Sequence, residues 1–253
     1  MRTGRPPAVL DDALIVHLYA DGHTESDIAR ILHTSRSSIH RRLLYNRIPI
    51  RSVYDANALR RHKTRDLSSV LDMLDGLVLS DAHIECDGRS EGRLEVTQRR
   101  ACKPWLEHIR DELARVGVDA TISDRGRRGY QLRTLKYVDF TDQYHRWYPD
   151  GTKVVPSDVI LNATSIAHWY CGDGVLESYG YRMTFCTDGF SIDEVRFLAD
   201  RLMTLYAVHV RVFNHQPRQP RLCVERKADR ILLADTIADH CVPCFAYKLA
   251  IKR

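Results

Sequence analysis

The sequence predicts an α+β protein in which a small all-α domain precedes two pseudo-symmetric αββαββα repeats. In two segments, residues 74–84 and 166–176, an apolar run ends close to an aspartate, Asp81 or Asp173, and an alternating stretch follows it. The same order of helical and strand-like patterns follows each aspartate, which indicates an internal duplication. Basic residues are in excess only at the start, where residues 1–65 hold 12 Lys and Arg against 6 Asp and Glu.

The beginning of the chain has the pattern of three short helices. Apolar residues recur at helical spacing over residues 10–19. Thr24 and Asp27 have the spacing of a capping box, which predicts a helix over residues 25–32. A third helix, with basic side chains on its polar side, is predicted over residues 36–45. Three helices joined by short turns form the helix-turn-helix layout.

Residues 4–43, from GRPPAVLDD to SSIHRRL, resemble the DNA-binding domains of site-specific recombinases of the resolvase and invertase class. In that class an arm with the sequence Gly-Arg-Pro enters the minor groove, and the third helix lies in the major groove. The alternative is a small helical domain with a solvated basic face. The DNA contacts that the resemblance implies are Arg2 and Arg5 in the arm, and Ser35, Arg36, Ser37 and Arg41 on the third helix.

Changes in periodicity predict four segments. They are a helix-turn-helix domain with a basic arm over residues 1–46, a linker over 47–65, a first repeat over 66–158 and a second repeat over 159–253. In each repeat, the helix that ends close to Asp81 or Asp173 is called the acid-tipped helix. Beyond its acid-tipped helix over residues 70–79, the first repeat is expected to have strands within 83–98 and 120–137, and helices over 103–116 and 140–148. The second repeat is expected to have strands within 179–187 and 208–224, and helices over 192–206 and 229–240.

Small residues lie close to each aspartate. Gly76 and Ser80 are four residues apart in the first repeat, and Ala167 and Cys171 have the same spacing in the second. Small side chains at this spacing allow two helix backbones to approach closely. Neighbouring helices of this kind would bring their two terminal carboxylates together, and paired carboxylates hold divalent cations in phosphodiester chemistry.

The second part of the chain, residues 66–253, resembles a single-chain, two-repeat LAGLIDADG homing endonuclease. Besides the acid-tipped helices, the resemblance is carried by VTQ at residues 96–98, GTKVVPSD at 151–158, FCTDGFS at 185–191 and YKL at 247–249. It implies two sheets that form a saddle for duplex DNA. It also implies site-specific hydrolysis of both DNA strands with divalent metal ions.

The family's catalytic roles can be transferred to matching positions. The two aspartates would bind Mg²⁺, or another divalent cation such as Mn²⁺, and water would attack. The two lysines would support charge on the phosphate or polarise the water. A glutamine would position solvent near the metal, with an aspartate as its rough counterpart in the second repeat. The catalytic residues implied are Asp81, Asp173, Lys153, Lys248, Gln98 and Asp188, of which Asp81 and Asp173 are the metal ligands.

DNA recognition in this family uses alternate residues on the strands, so outward polar side chains are candidates. Arginine and amide side chains can form bidentate contacts with base edges, although some contact only phosphate. A solvated charge on the strand face is the alternative for each of them. The candidates are Arg93, Arg125, Arg127, Arg128, Gln131, Arg133, Arg182, Arg211, Asn214, Gln216, Arg218 and Arg221, together with Glu95, Tyr181, His215 and Arg226.

Among the residues that depart from the family pattern, Asp75 and His168 bear on the packing of the helices. Asp75 stands where the family usually has alanine, so it lies on the exposed side of its helix or is an unexplained buried charge. His168 replaces a glycine, which puts the closeness of the helix contact in question.

Composition places the protein in a reducing, intracellular setting. No stretch reaches the roughly 18 to 20 apolar residues of a membrane span, and the basic start lacks the apolar run of a signal peptide. We therefore expect a cytoplasmic monomer with no membrane partner. The seven cysteines do not form a disulfide pattern. Cys241, Cys244 and His240 are a weak zinc candidate, and buried thiols are the preferred interpretation.

Three functions remain open at this point. The first is a DNA endonuclease acting on a double-stranded target. The second is a maturase that binds its own intron RNA, because the family includes such proteins. The third is a non-catalytic transcription regulator, although the presence of both aspartates favours catalysis.

Overall fold

A computed structural model of the protein describes residues 10–62, 64–88, 91–177 and 181–251, without the side chains of residues 54, 57 and 60–62. The chain divides into two compact units, the first ending at Thr64 and the second beginning at Arg65. The predicted arm residues Arg2 and Arg5 lie outside the described residues.

The first unit contains the three predicted helices and one more. Its helices are α1 (Asp12–Ala20), α2 (Glu25–Ile31), α3 (Arg36–Tyr45) and α4 (Val53–His62). The capping box predicted at Thr24 and Asp27 is present at the start of α2. The core of this unit contains fully buried side chains from each of the first three helices, namely Ile15, Ile28, Ile39 and Leu43.

The segment predicted as a linker contains the fourth helix. A local cap forms α4, since Ser52 Oγ accepts the Asp55 backbone N–H at 3.1 Å. No apolar periodicity marks this helix, which is why the sequence pattern missed it. The residues before it pack on the first helices: the Arg51 N–H donates to the Tyr19 hydroxyl at 2.7 Å, and the Arg51 guanidinium lies 3.9 Å from the Tyr19 ring centre.

The second unit has the predicted αββαββα order twice. The first half contains α5 (Leu71–Leu79), β1 (Ala82–Glu85), β2 (Arg93–Gln98), α6 (Lys103–Arg115), β3 (Ala120–Asp124), β4 (Tyr130–Thr134) and α7 (Val138–Trp147). The second half contains α8 (Ala163–Asp173), β5 (Gly174–Leu176), β6 (Met183–Cys186), α9 (Ile192–Tyr206), β7 (Val210–Gln216), β8 (Gln219–Val224) and α10 (Lys227–Ile237).

Each half contributes one four-stranded antiparallel sheet, in the orders β1-β2-β4-β3 and β5-β6-β8-β7. The two registers correspond, because Ala82 pairs with Val96 in one sheet and Gly174 pairs with Phe185 in the other. Alternate strand residues such as Leu94 enter the apolar core. The residues between them lie on the opposite, polar face of each sheet.

A single apolar core joins the two halves of this unit. Helices α5 and α8 lie at its centre, and every residue from Met73 to Leu79 and from Ser165 to Cys171 is buried. This burial on all sides explains why the two helices lack a polar face. It also leaves their C-terminal ends as the places where charged groups can meet.

Candidate active site

Helices α5 and α8 pack with their backbones in close contact. A Cβ added at Gly76 would lie 2.1 Å from the Ser165 carbonyl oxygen, and one added at Gly172 would lie 2.4 Å from Ser80 Oγ. Only glycine fits these two positions without moving a neighbour. The prediction that the acid-tipped helices are neighbours is therefore confirmed.

The close packing brings both aspartates into one cavity. Asp81 follows α5 directly after Ser80, and Asp173 is the last residue of α8. Both line a cavity of about 520 Å³, to which both halves of the unit contribute. The Cβ position of Gly172 lies 3.2 Å from Asp81 Oδ2, so the end of α8 directly adjoins this carboxylate.

Burial makes both carboxylates hard to ionise. Burial raises the pKa of Asp173 to about 6, and the negative charge of Asp81 contributes to this shift, although Lys153 and Lys248 oppose it. Burial also raises the pKa of Asp81, against the opposing effects of Lys248, Gln98 and Lys153. A cation bound between the two acids would therefore stabilise their ionised forms, which burial makes unfavourable.

Each acid-tipped helix has a lysine at its C-terminal end. Lys248 Nζ donates to the carbonyls of Cys171 at 2.7 Å, Gly172 at 3.1 Å and Tyr170 at 3.2 Å. Lys153 Nζ lies 3.4 Å from the carbonyls of residues 80 and 82. Burial lowers the pKa of Lys153 to about 8 and also lowers the pKa of Lys248, while the two aspartates oppose both shifts.

Gln98 lies in the predicted place, and Asp188 has other contacts. The Gln98 side-chain amide donates to Asp81 Oδ2. By strand register the counterpart of Gln98 is Thr187, whose hydroxyl donates to the Pro220 carbonyl at 2.6 Å. Asp188 is held by Arg221 through hydrogen bonds of 2.8 and 2.6 Å, and its charge contributes to the raised pKa of Asp173.

Sequence reasoning missed Arg99 as a residue of this cavity. Its guanidinium donates to the Tyr247 hydroxyl, lies 5.3 Å from the centre of that ring, and lines the cavity together with Tyr247. Arg99 directly follows the VTQ match and Tyr247 begins the YKL match. Their positions beside those motifs were the available indication.

Asp75 is fully buried, which decides between the exposed and the buried placement that the sequence left open. The Arg146 guanidinium binds the carboxylate in a bidentate manner, with one contact of 2.9 Å, and the Ile160 N–H donates to it at 2.8 Å. The buried charge is thus explained, because α7 supplies its counter-ion.

His168 does not separate the two helices, because its side chain points towards α6. The Trp105 indole N–H donates to His168 Nδ1 at 3.1 Å, and the imidazole stacks on the rings of Trp105 and His108. Its carbonyl oxygen, in contrast, lies 3.5 Å from Ser80 Oγ on α5. Burial lowers the pKa of His168 to about 3, so this residue stays neutral.

The predicted DNA-binding residues fall into three groups. On α3, Ser35 caps the helix, Arg36 pairs with Glu25 at 2.8 Å, and Ser37 and Arg41 are exposed. The second sheet exposes Tyr181, Arg182, Arg211, Asn214, His215, Gln216, Arg218 and Arg226, and leaves Arg221 half-buried. The first sheet and its hairpin expose Arg125, Arg127 and Arg128, leave Arg93 and Arg133 half-buried, and bury Glu95 and Gln131.

Glu95 and Gln131 face away from the core, but both side chains are buried, whereas the sequence pattern predicted that they would be accessible to DNA. They lie on the polar face of the first sheet, where neighbouring arginines cover them.

The cysteines are free thiols. Cys241 Sγ lies 3.4 Å from Cys171 Sγ. Over the part of the chain that the structure describes, no group of three or more His, Cys, Asp and Glu side chains could hold a metal ion. No helix within those same limits is long and apolar enough to cross a membrane.

Comparison with protein families gives a match for each of the two units. Residues 71–232 match the LAGLIDADG DNA endonuclease family, and residues 4–43 match the helix-turn-helix domain of resolvase. The first match covers more than half of the chain, which therefore belongs to the LAGLIDADG DNA endonuclease family.

Three curated relatives are similar to this chain. An uncharacterized protein of Methanocaldococcus jannaschii is 34% identical over 165 residues, which are 59% of this chain and 61% of that protein's length. A probable intron-encoded DNA endonuclease of Mycosarcoma maydis is 26% identical, covering 49% of this chain and 96% of that protein. A cytochrome b mRNA maturase of Debaryomyces hansenii is 24% identical, covering 71% of this chain and 73% of that protein.

A solved structure shares the fold. It is described as the homing endonuclease I-WcaI bound to its DNA recognition sequence, and it is 20% identical with a TM-score of 0.64. The match covers 74% of this chain and 88% of that chain. The likeness confirms the predicted two-repeat α+β fold.

Proposed function

We propose that the protein is a site-specific endonuclease that hydrolyses double-stranded DNA at the ends of α5 and α8. The observation that carries this proposal is the shared cavity, in which two pseudo-symmetric helices each present one carboxylate. Membership of the LAGLIDADG DNA endonuclease family supports the same chemistry.

The donor set fits divalent cations such as Mg²⁺ or Mn²⁺. Asp81 and Asp173 offer hard oxygen ligands, and burial raises the pKa of both although Lys153 and Lys248 lie nearby. These two residues would hold the ions. When bound, the ions would supply Lewis-acid stabilisation of charge on the phosphate oxygens.

The neighbouring residues have distinct tasks in this proposal. Gln98 fixes the orientation of the Asp81 carboxylate through its amide and leaves its carbonyl oxygen to orient a water. Lys153 and Lys248 offset the partial negative charge of the helix ends. Because they also lie near Asp81 and Asp173, their positive charges reduce the repulsion between these acids and the phosphate. The pKa of Lys153, about 8, allows it to exchange a proton with solvent near neutral pH.

Two surfaces are proposed to bind the DNA target. The polar faces of the two sheets carry the arginines and amides that recognise bases and phosphates. The helix-turn-helix unit adds a second, independent contact through Ser37, Arg41 and their neighbours on α3. A second module on the same chain raises the affinity through effective concentration.

Two other functions are alternatives to this proposal. In the first, which the similarity to a maturase suggests, the polar faces bind intron RNA. A non-catalytic regulator would bind duplex DNA and leave it intact.

The test incubates the protein and Mg²⁺ with a library of DNA duplexes, beside the Asp81→Asn and Asp173→Asn variants. Asp193→Asn is the matched control, because it removes a highly exposed carboxylate at the start of α9. We expect both cavity variants to bind DNA and lose at least 100-fold in cleavage rate, while the control cuts normally.

Three outcomes would contradict the proposal. Unchanged cleavage by both cavity variants would remove the carboxylates from the mechanism. Binding without cleavage by the unmodified protein would favour a regulator. A strong preference for structured intron RNA over duplex DNA would favour a maturase.

A further inference from the structure

A buried glutamate lies at the centre of the polar face of the first sheet. Glu95 is in the middle of β2, between the core residues Leu94 and Val96, so its side chain points away from the core. Yet only 3% of Glu95 is exposed, because polar side chains cover it. An ionised carboxylate in this position requires compensating partners.

Side chains from three adjacent strands surround this carboxylate. Oε2 accepts hydrogen bonds from Gln131 at 3.0 Å and from Arg133 Nη2 at 3.3 Å. Oε1 lies 2.6 Å from Arg133 Nε and 3.0 Å from Arg93 Nε, and His83 Nε2 is 3.6 Å from Oε2. Three potentially cationic groups and one amide therefore converge on a single acid.

The arrangement extends to a second layer of side chains. Gln131 donates to Glu95 through its amide nitrogen and accepts a hydrogen bond from Arg125 Nε at 2.8 Å through its oxygen. Glu95 thus orients Arg93, Gln131 and Arg133 directly, and Arg125 through Gln131. These four residues are among the proposed DNA contacts of the first sheet.

The fold does not require this acid. By strand register, Thr184 occupies the place of Glu95 in the second sheet, and Cys223 occupies the place of Arg133. The second sheet nevertheless keeps the same strand order and equivalent pairing. Among the described residues, the acid that pairs with two arginines of the second sheet, Glu225, is exposed, whereas Glu95 is buried. This difference between the sheets argues for a role of Glu95 in recognition.

We propose that Glu95 is a positioning residue that fixes the DNA-facing side chains of the first sheet for base recognition. The inference rests on the proposed function, since it deepens the role of the same surface. A bidentate contact with a base needs a guanidinium or amide plane held in one orientation. The negative charge also reduces attraction to phosphate, which is independent of sequence.

The hydrogen bonds between Glu95 and Arg133 leave some N–H groups of Arg133 available to a ligand. Within the described part of the chain, Glu95 Oε1 and Arg133 Nε are buried and have no aligned hydrogen-bond partner, although the two atoms are close. Arg133 is thus held by its charge and by the hydrogen bond from Nη2 to Glu95 Oε2, and its remaining terminal N–H groups can donate to a base acceptor.

The test compares Glu95→Gln with Glu85→Gln, a matched control. Glu85 also lies in the first sheet and binds Arg93 in an ion pair, so both variants remove one negative charge near the same arginine. Each protein is used to select duplexes from a randomised DNA library, and its affinities for the selected site and for unrelated duplex DNA are measured.

We expect the two variants to differ in sequence discrimination. Both should bind unrelated duplex DNA about threefold more tightly at low salt, because one repulsive charge is gone. Glu95→Gln should lose about tenfold in the ratio of specific to unrelated binding, and Glu85→Gln much less, because Glu85 holds Arg93 alone among the four residues that Glu95 orients. A merely structural role would instead weaken both kinds of binding together.

A second variant, Glu95→Asp, separates charge from position. It keeps the negative charge but shortens the side chain, so we expect unchanged affinity for unrelated DNA and a partial loss of discrimination. The inference is overturned if Glu95→Gln or Glu95→Asp selects the same sequences as the unmodified protein with equal discrimination. If the unmodified protein itself enriches no sequence, the proposed function fails as well.

Discussion

At the scale of single residues, two departures from the family pattern have physical explanations. Asp75 is buried together with Arg146, and His168 accepts a hydrogen bond from Trp105 while its backbone faces α5. Neither could be predicted from the sequence, because the partner residues come from α6 and α7, distant in the chain. The two aspartates of the cavity were predictable, since the duplicated pattern placed one at the end of each helix.

His168 makes stability depend on pH. Burial lowers its pKa to about 3 in the folded protein. Between pH 6.5 and pH 3, His168 is therefore protonated in the unfolded chain and neutral in the folded protein. Stability is therefore lost as the pH falls from 6.5 towards 3. The free energy of unfolding should drop by about 2 kcal/mol between pH 8 and pH 5 on account of this residue.

The His168→Gln variant isolates that contribution, because its side-chain oxygen can still accept the Trp105 N–H. Urea unfolding at several pH values should show a smaller loss at low pH for the variant than for the unmodified protein. Parallel pH profiles of the two proteins would show that His168 is not the group responsible.

At the scale of elements, the crossing of α5 and α8 controls the site. Sequence patterns correctly predicted these helices, both sheets and the helix-turn-helix, because apolar periodicity reflects burial on one or all sides. They failed for α4, which a Ser52 cap forms without an apolar stripe. They placed Glu95 and Gln131 on the correct face of the sheet but did not predict their burial, since period-two alternation gives the face of a strand and not what covers it.

The helix crossing predicts a large effect of one methyl group. Gly76→Ala would place a Cβ 2.1 Å from the Ser165 carbonyl oxygen, so the helices must move apart. We expect a loss of about 3 kcal/mol in the free energy of unfolding. Gly189→Ala is the control, because an added Cβ there meets nothing within 4 Å. Equal stability of the two variants in thermal unfolding would refute the close crossing.

At the scale of the whole molecule, the protein contains two compact units. The second unit repeats one architecture, and its pseudo-symmetry brings one acid and one lysine from each half to the helix ends. The repeats differ on their polar faces, where Glu95 and its arginines have Thr184 and Cys223 as counterparts. Such a difference suits a DNA target whose two halves are not identical.

In the proposed site, the carboxylates of Asp81 and Asp173 lie close enough to share cations. The most direct measurement is a carbon-13 NMR titration of the Asp173 carboxyl group, without metal, in the unmodified protein and in Asp81→Asn. We expect a pKa of about 6 for Asp173 that falls when the Asp81 charge is removed, because that charge contributes to the shift. An Asp173 pKa that is identical in both proteins would contradict it.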